Sequence, residues 1–352
     1  MTSLRPDPAL ALPANAEFDQ SFTRLIERLR VCNRVLLTTH VRPDGDALGS
    51  VRAASLVLSH MGIAHEILVL SKIPTKYRFL FESSSIPMIE IMEAMTLDAS
   101  DMARFDGLLV IDTGTWSQLP GVRELVENWP GVKLVIDHHV TQEDWADVKV
   151  VKTSAAAAGE LAAELAARVG VPMSRELAGA VFIAVASDTG WFQFSSTTPH
   201  TLRLVASLME AGVDTDSLYQ HLYQNERPER LLIQQHAMRS MQLLSGNRLG
   251  VMTITKADFQ ETGAGVPDTE NLVNIPLQIG TIAASALFVD PPEGGPVRVS
   301  LRSKGQVNMA KFAERFGGGG HVRAAGLKIS GPIDEVRATV TSALQEVLAG
   351  LQ

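Results

Sequence analysis

The sequence predicts an α/β fold in two parts: a parallel-sheet domain, joined by a helical connector to a smaller α/β domain. Three observations carry this. Short apolar, β-rich runs alternate with segments of helical periodicity through the first half, the pattern of repeated β-α units and a doubly wound parallel sheet. The chain has 352 residues, more than one ordinary core encloses. Near His200 the strand-helix alternation gives way to a more polar helical pattern.

Taken in order, residues 1–17 (MTSLRPDPALALPANAE) are Pro- and Ala-rich and lack the basic start and apolar run of a signal peptide, so they read as a loose N-terminal extension. The first domain, 18–199, has its first strand at VLLTT (35–39). DALGSVRAASLVLSHMG (46–62) places apolar residues at helical spacing and stops at Gly62. HEILVLS (65–71) is the next strand, and GLLVI (107–111) and VKLVI (132–136) lead to strand ends at Thr113 and His139. Helices follow from about Ser154 to Val169 and from Arg175 to Ala186. Residues 200–245 form the connector, a helical pattern interrupted at Pro228.

The second domain, 246–352, begins with a strand in LGVMTIT, a helix over 270–279 and a strand in IAASALFVD. DPPEGGP is a strong turn signal before the strand VRVSLRS. A helix over 308–316, a GGGG loop, the strand AAGLKIS and a terminal helix over 334–349 complete it.

Composition narrows the function classes. Hydrophobic residues make up 45% and charged residues 20%, ordinary for a globular protein. No apolar run approaches the roughly 18–20 residues of a membrane span, so no membrane partner is expected. The single cysteine, Cys32, forbids an internal disulfide and fits a reducing cytoplasm, although a buried small apolar side chain explains it equally. A net charge of −8 argues against binding long duplex nucleic acid through its backbone. The charge is uneven, however. Between Pro296 and Ser330 seven Lys or Arg residues face one acid, Glu314, which suits a small anionic ligand.

Four clusters of Asp and His carry the chemistry. They are His40, Asp44 and Asp46 in HVRPDGDALGS, Asp112 in VIDTG, Asp137-His138-His139 in VIDHH, and Asp188 in SDTG. Carboxylates and neutral imidazoles are ligands of hard divalent metals. Three clusters directly follow β-rich runs, and open α/β sheets gather ligands beyond the carboxyl ends of their strands. Residues distant in sequence are thereby expected at one crevice. Asp44 and Asp46 flank Gly45, which permits a turn that a side chain would hinder. Each cluster alone has a plainer explanation: Asp46 as a helix cap, Asp112 and Asp188 as turn caps, and the histidines as a solvated pair. Asp137 is placed to accept the second N–H of a metal-bound imidazole. Gly317, Gly318, Gly319 and Gly320 before His321 read as a nest of backbone N–H groups for an anion, or as a flexible loop.

In this order the motifs resemble the DHH phosphoesterase superfamily, and RFGGGGHVRAAG, SLRSKGQVNMA and TENLVNIPLQIG resemble the DHH-associated domain of its oligoribonuclease (nanoRNase) and phosphoadenosine-phosphate (pAp) phosphatase branch. The similarity spans roughly residues 20–350. It implies one metal at His40, Asp44 and Asp112, and a second at Asp46, Asp112, His138 and Asp188. The implied cofactors are two Mn(II) ions, with Mg or Co as substitutes. Asp137 would stand behind the ligands and His139 would contact the scissile phosphate. Arg302, Ser303, Gly317–Gly320 and His321 would bind the nucleotide.

The expected activity is two-metal hydrolysis of RNA of about 2–5 nucleotides and of the 3′-phosphate of pAp. A stand-alone cyclic di-AMP or pApA phosphodiesterase is the main alternative. A RecJ-type exonuclease, an inorganic pyrophosphatase and a non-catalytic nucleotide-binding regulator fit the motifs less well. Expected partners are short RNA and small nucleotides in the cytoplasm, and a homodimer is compatible with the sequence.

Overall fold

The computed structural model describes residues 16–82, 84–89, 97–305 and 307–351, apart from the side chains of Ala99 and His321. The greater part of the expected N-terminal extension lies outside the described residues. The chain divides into two compact units between Asn225 and Glu226. The boundaries read from the sequence, at 199 and 245, enclosed all of 200–245 in a connector.

The first unit is built on six strands: β1 (Arg34–Thr39), β2 (Ala64–Leu68), β3 (Met88–Ile89), β4 (Gly107–Ile111), β5 (Val132–Asp137) and β6 (Val148–Val151). They lie in the order β3-β2-β1-β4-β5-β6 and every neighbouring pair is parallel. Val35 and Leu37, Leu109 and Ile111, and Leu134 and Ile136 bury on one face, whereas Leu36, Leu108, Val110 and Val135 bury on the other. Covering both faces explains why these strands are continuous apolar runs and not alternating ones.

Helices α1 (Ala16–Arg30), α2 (Gly45–His60), α3 (Ala158–Val169) and α4 (Arg175–Asp188) contribute to the core on the first of these faces. This first helix is not among the elements expected from the sequence. In α1, Phe18, Phe22, Leu25, Ile26 and Leu29 recur at helical spacing and are all buried, so a stripe of apolar side chains folds this segment onto the sheet. Helices α2 and α4 approach closely because Gly49 lies against α4: a Cβ there would stand 2.5 Å from the Ala180 carbonyl oxygen. Gly159 makes the same room for α3, where a Cβ would meet that of Ala184 at 2.5 Å.

The expected connector is three helices divided between the units. Helices α5 (Pro199–Glu210) and α6 (Thr215–Tyr223) end the first unit, and α7 (Pro228–Arg239) begins the second. Pro228 opens a helix and does not break one, since its missing N–H would be unsatisfied in the first turn anyway.

The second unit holds β7 (Gln242–Leu244), β8 (Leu249–Ile254), β9 (Ala284–Val289), β10 (Val297–Ser303), β11 (Gly319–His321) and β12 (Ala324–Ile329), ordered β11-β12-β10-β9-β8-β7. Only β8 and β9 pair in parallel. Its helices are α8 (Lys256–Thr262), α9 (Met309–Glu314) and α10 (Ile333–Ala349). The helix expected over 270–279 is a 3₁₀ stretch, Leu272–Gln278, because Pro276 inside it removes an α-helical donor.

The glycine run also differs from expectation. The amides of Gly317 and Gly318 donate back to the Glu314 and Ala313 carbonyls, closing α9, and Gly319–His321 pairs with β12. A Cβ on Gly318 or Gly320 would lie 2.5 Å from the Gly326 oxygen or 2.4 Å from the Ala324 oxygen respectively. Close strand packing, and not an open anion nest, accounts for these two glycines. Among the described residues, no helix is long and apolar enough to cross a membrane.

Candidate metal centre

The parallel sheet brings the Asp and His clusters together at its carboxyl ends. His40 follows β1, Asp112 follows β4, His138 and His139 follow β5, and Asp188 ends α4. Three overlapping groups each place ligand atoms within 4.8 Å of one another: His40, Asp44 and Asp112; Asp46, His138 and Asp188; and Asp112, His138 and His139.

Asp112 stands between the groups. Its Oδ2 lies 3.4 Å from His40 Nε2, and its Oδ1 lies 3.4 Å from His138 Nε2. Oδ1 is buried and makes no hydrogen bond of good geometry, its nearest donors being the His138 and His139 rings at 3.4 and 3.7 Å. A buried carboxylate oxygen without a partner is costly unless something else meets it, so this atom fits a cation. Asp112 also adopts φ +67°, a left-handed backbone that non-glycine residues seldom take, and such strain concentrates at functional sites.

Asp44 caps α2 by accepting from the Ala47 amide at 3.1 Å. Asp46, in the first turn of the same helix, is buried and caps a different one: it accepts from Ala158 N at 2.7 Å and Gly159 N at 2.9 Å at the start of α3, and from Ser50 Oγ at 3.0 Å. The capping explanation thus holds for both residues, and it fixes their carboxylates beside the histidines. Asp46 Oδ2 and Asp188 Oδ2 lie 3.6 and 3.7 Å from His138 Nε2. Between the two aspartates, Gly45 has a helical and not a left-handed backbone. Its need for hydrogen is steric, since a Cβ would stand 1.9 Å from Ser187 Oγ and 2.9 Å from the Tyr77 hydroxyl.

The Asp-His-His triplet is wired differently from expectation. His138 directs Nδ1 to the Ala155 carbonyl at 3.3 Å, leaving Nε2 for the carboxylates. Asp137 instead holds His139, whose Nδ1 lies 2.8 Å from Asp137 Oδ1. The same oxygen accepts the backbone N–H of His138 at 2.8 Å and of His139 at 3.1 Å. The chain turns after β5, so the fully buried Asp137 faces the second histidine and not the first.

Sequence reasoning missed Gln142. Its amide nitrogen donates to Asp137 Oδ2 and to the His139 carbonyl, so it braces the acid that braces His139. It also touches the Asp112 loop: a Cβ on Gly114 would stand 1.9 Å from Gln142 Oε1, and the two residues form an isolated parallel bridge. The only available signal was the glycine two residues after Asp112.

Electrostatics reflect the crowding of acids. Burial is the largest single influence on the His40 imidazole and would lower it, but the hydrogen bond and charge of Asp112, with the Val41 carbonyl and Asp44, together outweigh it and push it up to about 9. Burial likewise opposes charge on His138, yet Asp112, Asp46 and Asp188 push it up to about 10. His139 is raised by its bond to Asp137. Burial, reinforced by neighbouring carboxylates, raises Asp46 and Asp188. Burial disfavours the Asp112 anion, but His138 and His40 prevail and lower it.

The remaining expected site residues stand in the second unit. Arg302, on β10, is half-buried and its Nη1 donates to the Leu301 carbonyl at 3.0 Å. Ser303 is buried, and its hydroxyl donates to the Val307 carbonyl at 2.7 Å, bracing the loop that follows β10. The backbone of His321 belongs to β11, and its side chain lies outside the described residues.

Residues 34–185 match the model of the DHH family, N-terminal domain, and residues 252–349 match that of the DHHA1 domain. The bifunctional oligoribonuclease and PAP phosphatase NrnA of Thermus thermophilus is 30% identical over 336 residues, covering 92% of this chain and 96% of that protein. The chain belongs to the DHH family. The protein of the same name from Bacillus subtilis is 28% identical to this DHH chain over 314 residues, covering 87% of it and 93% of the relative. An exopolyphosphatase-related protein from Bacteroides fragilis shares the fold with a TM-score of 0.85 at 23% identity, over 95% of this chain and 98% of that one. The resemblance drawn from the DHH, GGGGH and DGD motifs is therefore borne out for this DHH protein, as is the α/β class of both its parts.

Proposed function

We propose that this DHH protein hydrolyses short oligoribonucleotides, of about 2–5 nucleotides on the branch resemblance, to mononucleotides, and that it removes the 3′-phosphate of pAp. The observation that carries this is the convergence of His40, Asp44, Asp46, Asp112, His138 and Asp188 around the unpartnered Asp112 oxygen. The names of relatives that match nearly end to end support this activity over a cyclic di-AMP phosphodiesterase.

In this reading His40, Asp44 and Asp112 hold one divalent cation, and Asp46, Asp112, His138 and Asp188 hold the other. Manganese is favoured by the oxygen and nitrogen donor set and by a manganese-bound RecJ exonuclease that shares the fold (TM-score 0.53, 17% identity, 98% of this chain and 96% of that one). Bound cations supply Lewis acidity at the phosphate ester and lower the pKa of water.

The chain's own residues orient the reaction. Asp112 offers one oxygen toward each group, the geometry of a shared ligand. With Nδ1 of His139 taken by Asp137, Nε2 is the nitrogen left to face a phosphate. The raised pKa of His139 favours the imidazolium, which donates to a non-bridging oxygen and offsets charge developing there. In the second unit Arg302 offers a planar fork for a terminal phosphate.

The deciding experiment compares turnover of pAp, pApA, cyclic di-AMP and a ladder of RNA oligomers, before and after prolonged chelation and with manganese restored. Hydrolysis of pAp and of two- to five-nucleotide RNA, lost on chelation and recovered with manganese, is expected. Full activity after exhaustive chelation, or preference for cyclic di-AMP, would contradict the proposal.

A further inference from the structure

One cavity of the first unit is not used by the chemistry above. It measures about 490 Å³ and lies just beyond the end of β2, beside the segment that leads into β3, walled by Ser71, Lys72, Arg78, Phe81, Ile86 and Met88. Strand ends of this kind are where open α/β sheets bind ligands. The cavity also adjoins the metal centre. Register pairs Thr38 of β1 with Leu68 of β2, so the segments leading to His40 and to Ser71 leave the sheet side by side, about 4.8 Å apart. Beyond the sheet they stay in contact: the Arg42 amide donates to Ser71 Oγ at 2.6 Å.

Its chemistry is two-sided. Phe81, Ile86 and Met88 form an apolar wall. Lys72 and Arg78 are exposed, and neither side chain has an ion pair or hydrogen bond among the described residues, in a protein of net charge −8. Among the described residues of the wall Glu82 is the one acid, against Lys72 and Arg78. The next cation along the loop, Lys76, is by contrast occupied by the rings of Tyr77 and Tyr223. An aromatic and apolar wall beside unpaired cations is what a nucleotide needs, because its base packs on the first and its phosphate pairs with the second.

We propose that this cavity is a subsite for the nucleotide on the 3′ side of the scissile phosphate, with Phe81, Ile86 and Met88 taking its base and Lys72 and Arg78 the next phosphate along the chain, the one that links it to a third nucleotide. This rests on the oligoribonuclease reading. It adds a consequence: pAp has a single nucleoside and leaves the subsite empty, so the cavity distinguishes RNA from pAp.

The test uses the full-length protein with manganese and measures kcat and KM for pApA, a triadenylate and pAp. In Lys72→Ala and Arg78→Ala, the efficiency for the triadenylate relative to pAp should fall about ten-fold each, mainly through KM, the scale of one charge-assisted contact, while pApA, which lacks that phosphate, changes little. Arg78→Lys should recover part of the loss, and Phe81→Leu should weaken both pApA and the triadenylate while sparing pAp. A parallel fall for the triadenylate and pAp, or no change for either, would overturn the subsite while leaving the proposed activity standing. A second measurement does not depend on turnover. Photo-crosslinking of 8-azidoadenosine 3′-phosphate to the metal-free protein should label the 69–88 segment in the wild type and not in the Lys72→Ala/Arg78→Ala double variant. Labelling confined to other segments would overturn the subsite even if the wild type hydrolysed neither substrate.

Discussion

Removing Gln142 tests whether the hydrogen-bonded support behind His139 matters to the chemistry. In Gln142→Ala, Asp137 Oδ2 loses the Gln142 amide while Asp137 stays fully buried. A hydrogen bond to a charged group is worth about 1.5–3 kcal/mol, and the buried oxygen bears that cost unless water replaces the amide. If the cost falls on the orientation of His139, kcat drops about 10–100-fold, the range found for residues behind a metal site. If it falls on folding, the melting temperature drops about 3–12 °C for a unit of this size. The two are separable by measuring kcat and KM on pAp at 25 °C beside thermal unfolding and metal stoichiometry. The expected result is a lowered kcat, KM within about three-fold on the same scale of estimate, and two metals retained. Gln142→Asn, one methylene shorter, should be intermediate. Wild-type kcat in Gln142→Ala, or loss of metal in place of turnover, would show that the Gln142–Asp137–His139 chain does not position the reaction.

Three further outcomes are expected. Asp112→Ala should abolish turnover because both groups lose their common carboxylate, whereas Asp137→Asn should cost about 10–100-fold, checked by steady-state kinetics with saturating manganese. Metal binding should release protons: His40 and His138 titrate at about 9 and about 10 in the metal-free protein, so both are charged at pH 7.5 and must be neutral to bind a cation. Apparent affinity should therefore rise with pH up to about 9–10, and calorimetry in buffers of different ionisation enthalpy should report the released protons. Gly49→Ala forces a methyl to within 2.5 Å of the Ala180 oxygen and 2.8 Å of the Ala184 nitrogen, and should destabilise the first unit by about 1–3 kcal/mol in urea unfolding.

Much of the first unit was legible because β1, β4 and β5 are covered on both faces, which writes them into the sequence as uninterrupted apolar runs. The polar residues at their ends then stood out. What stayed hidden depended on side-chain direction and on contacts between distant segments. Adjacency could not tell which histidine Asp137 would hold, because the turn after β5 decides it. Gly45 looked like a flexible turn, whereas its constraint is Ser187, far away in the chain. Helix α1 was missed because its amphipathic stripe directly follows a Pro- and Ala-rich stretch, and β6 because VKVV is too short to register as a period. The glycines of 317–320 misled for the opposite reason. Their composition suggests freedom, but Gly318 and Gly320 are glycine because a neighbouring strand leaves no space.

The two Asp-Thr-Gly segments invite a different kind of mistake. Identical triplets at 112–114 and 188–190 suggest an ancient duplication, yet their glycines answer unrelated demands. Gly114 yields its volume to the Gln142 amide, while Gly190 takes φ +56° and carries the Phe194 ring against it, where a Cβ would lie 2.5 Å away. The first follows a strand and the second a helix. A search for remote kin that scores the triplets as one repeated word would weight both glycines alike. Tolerance at 114 should instead track the residue at 142, so the two positions ought to vary together across lineages, whereas 190 should vary with 194.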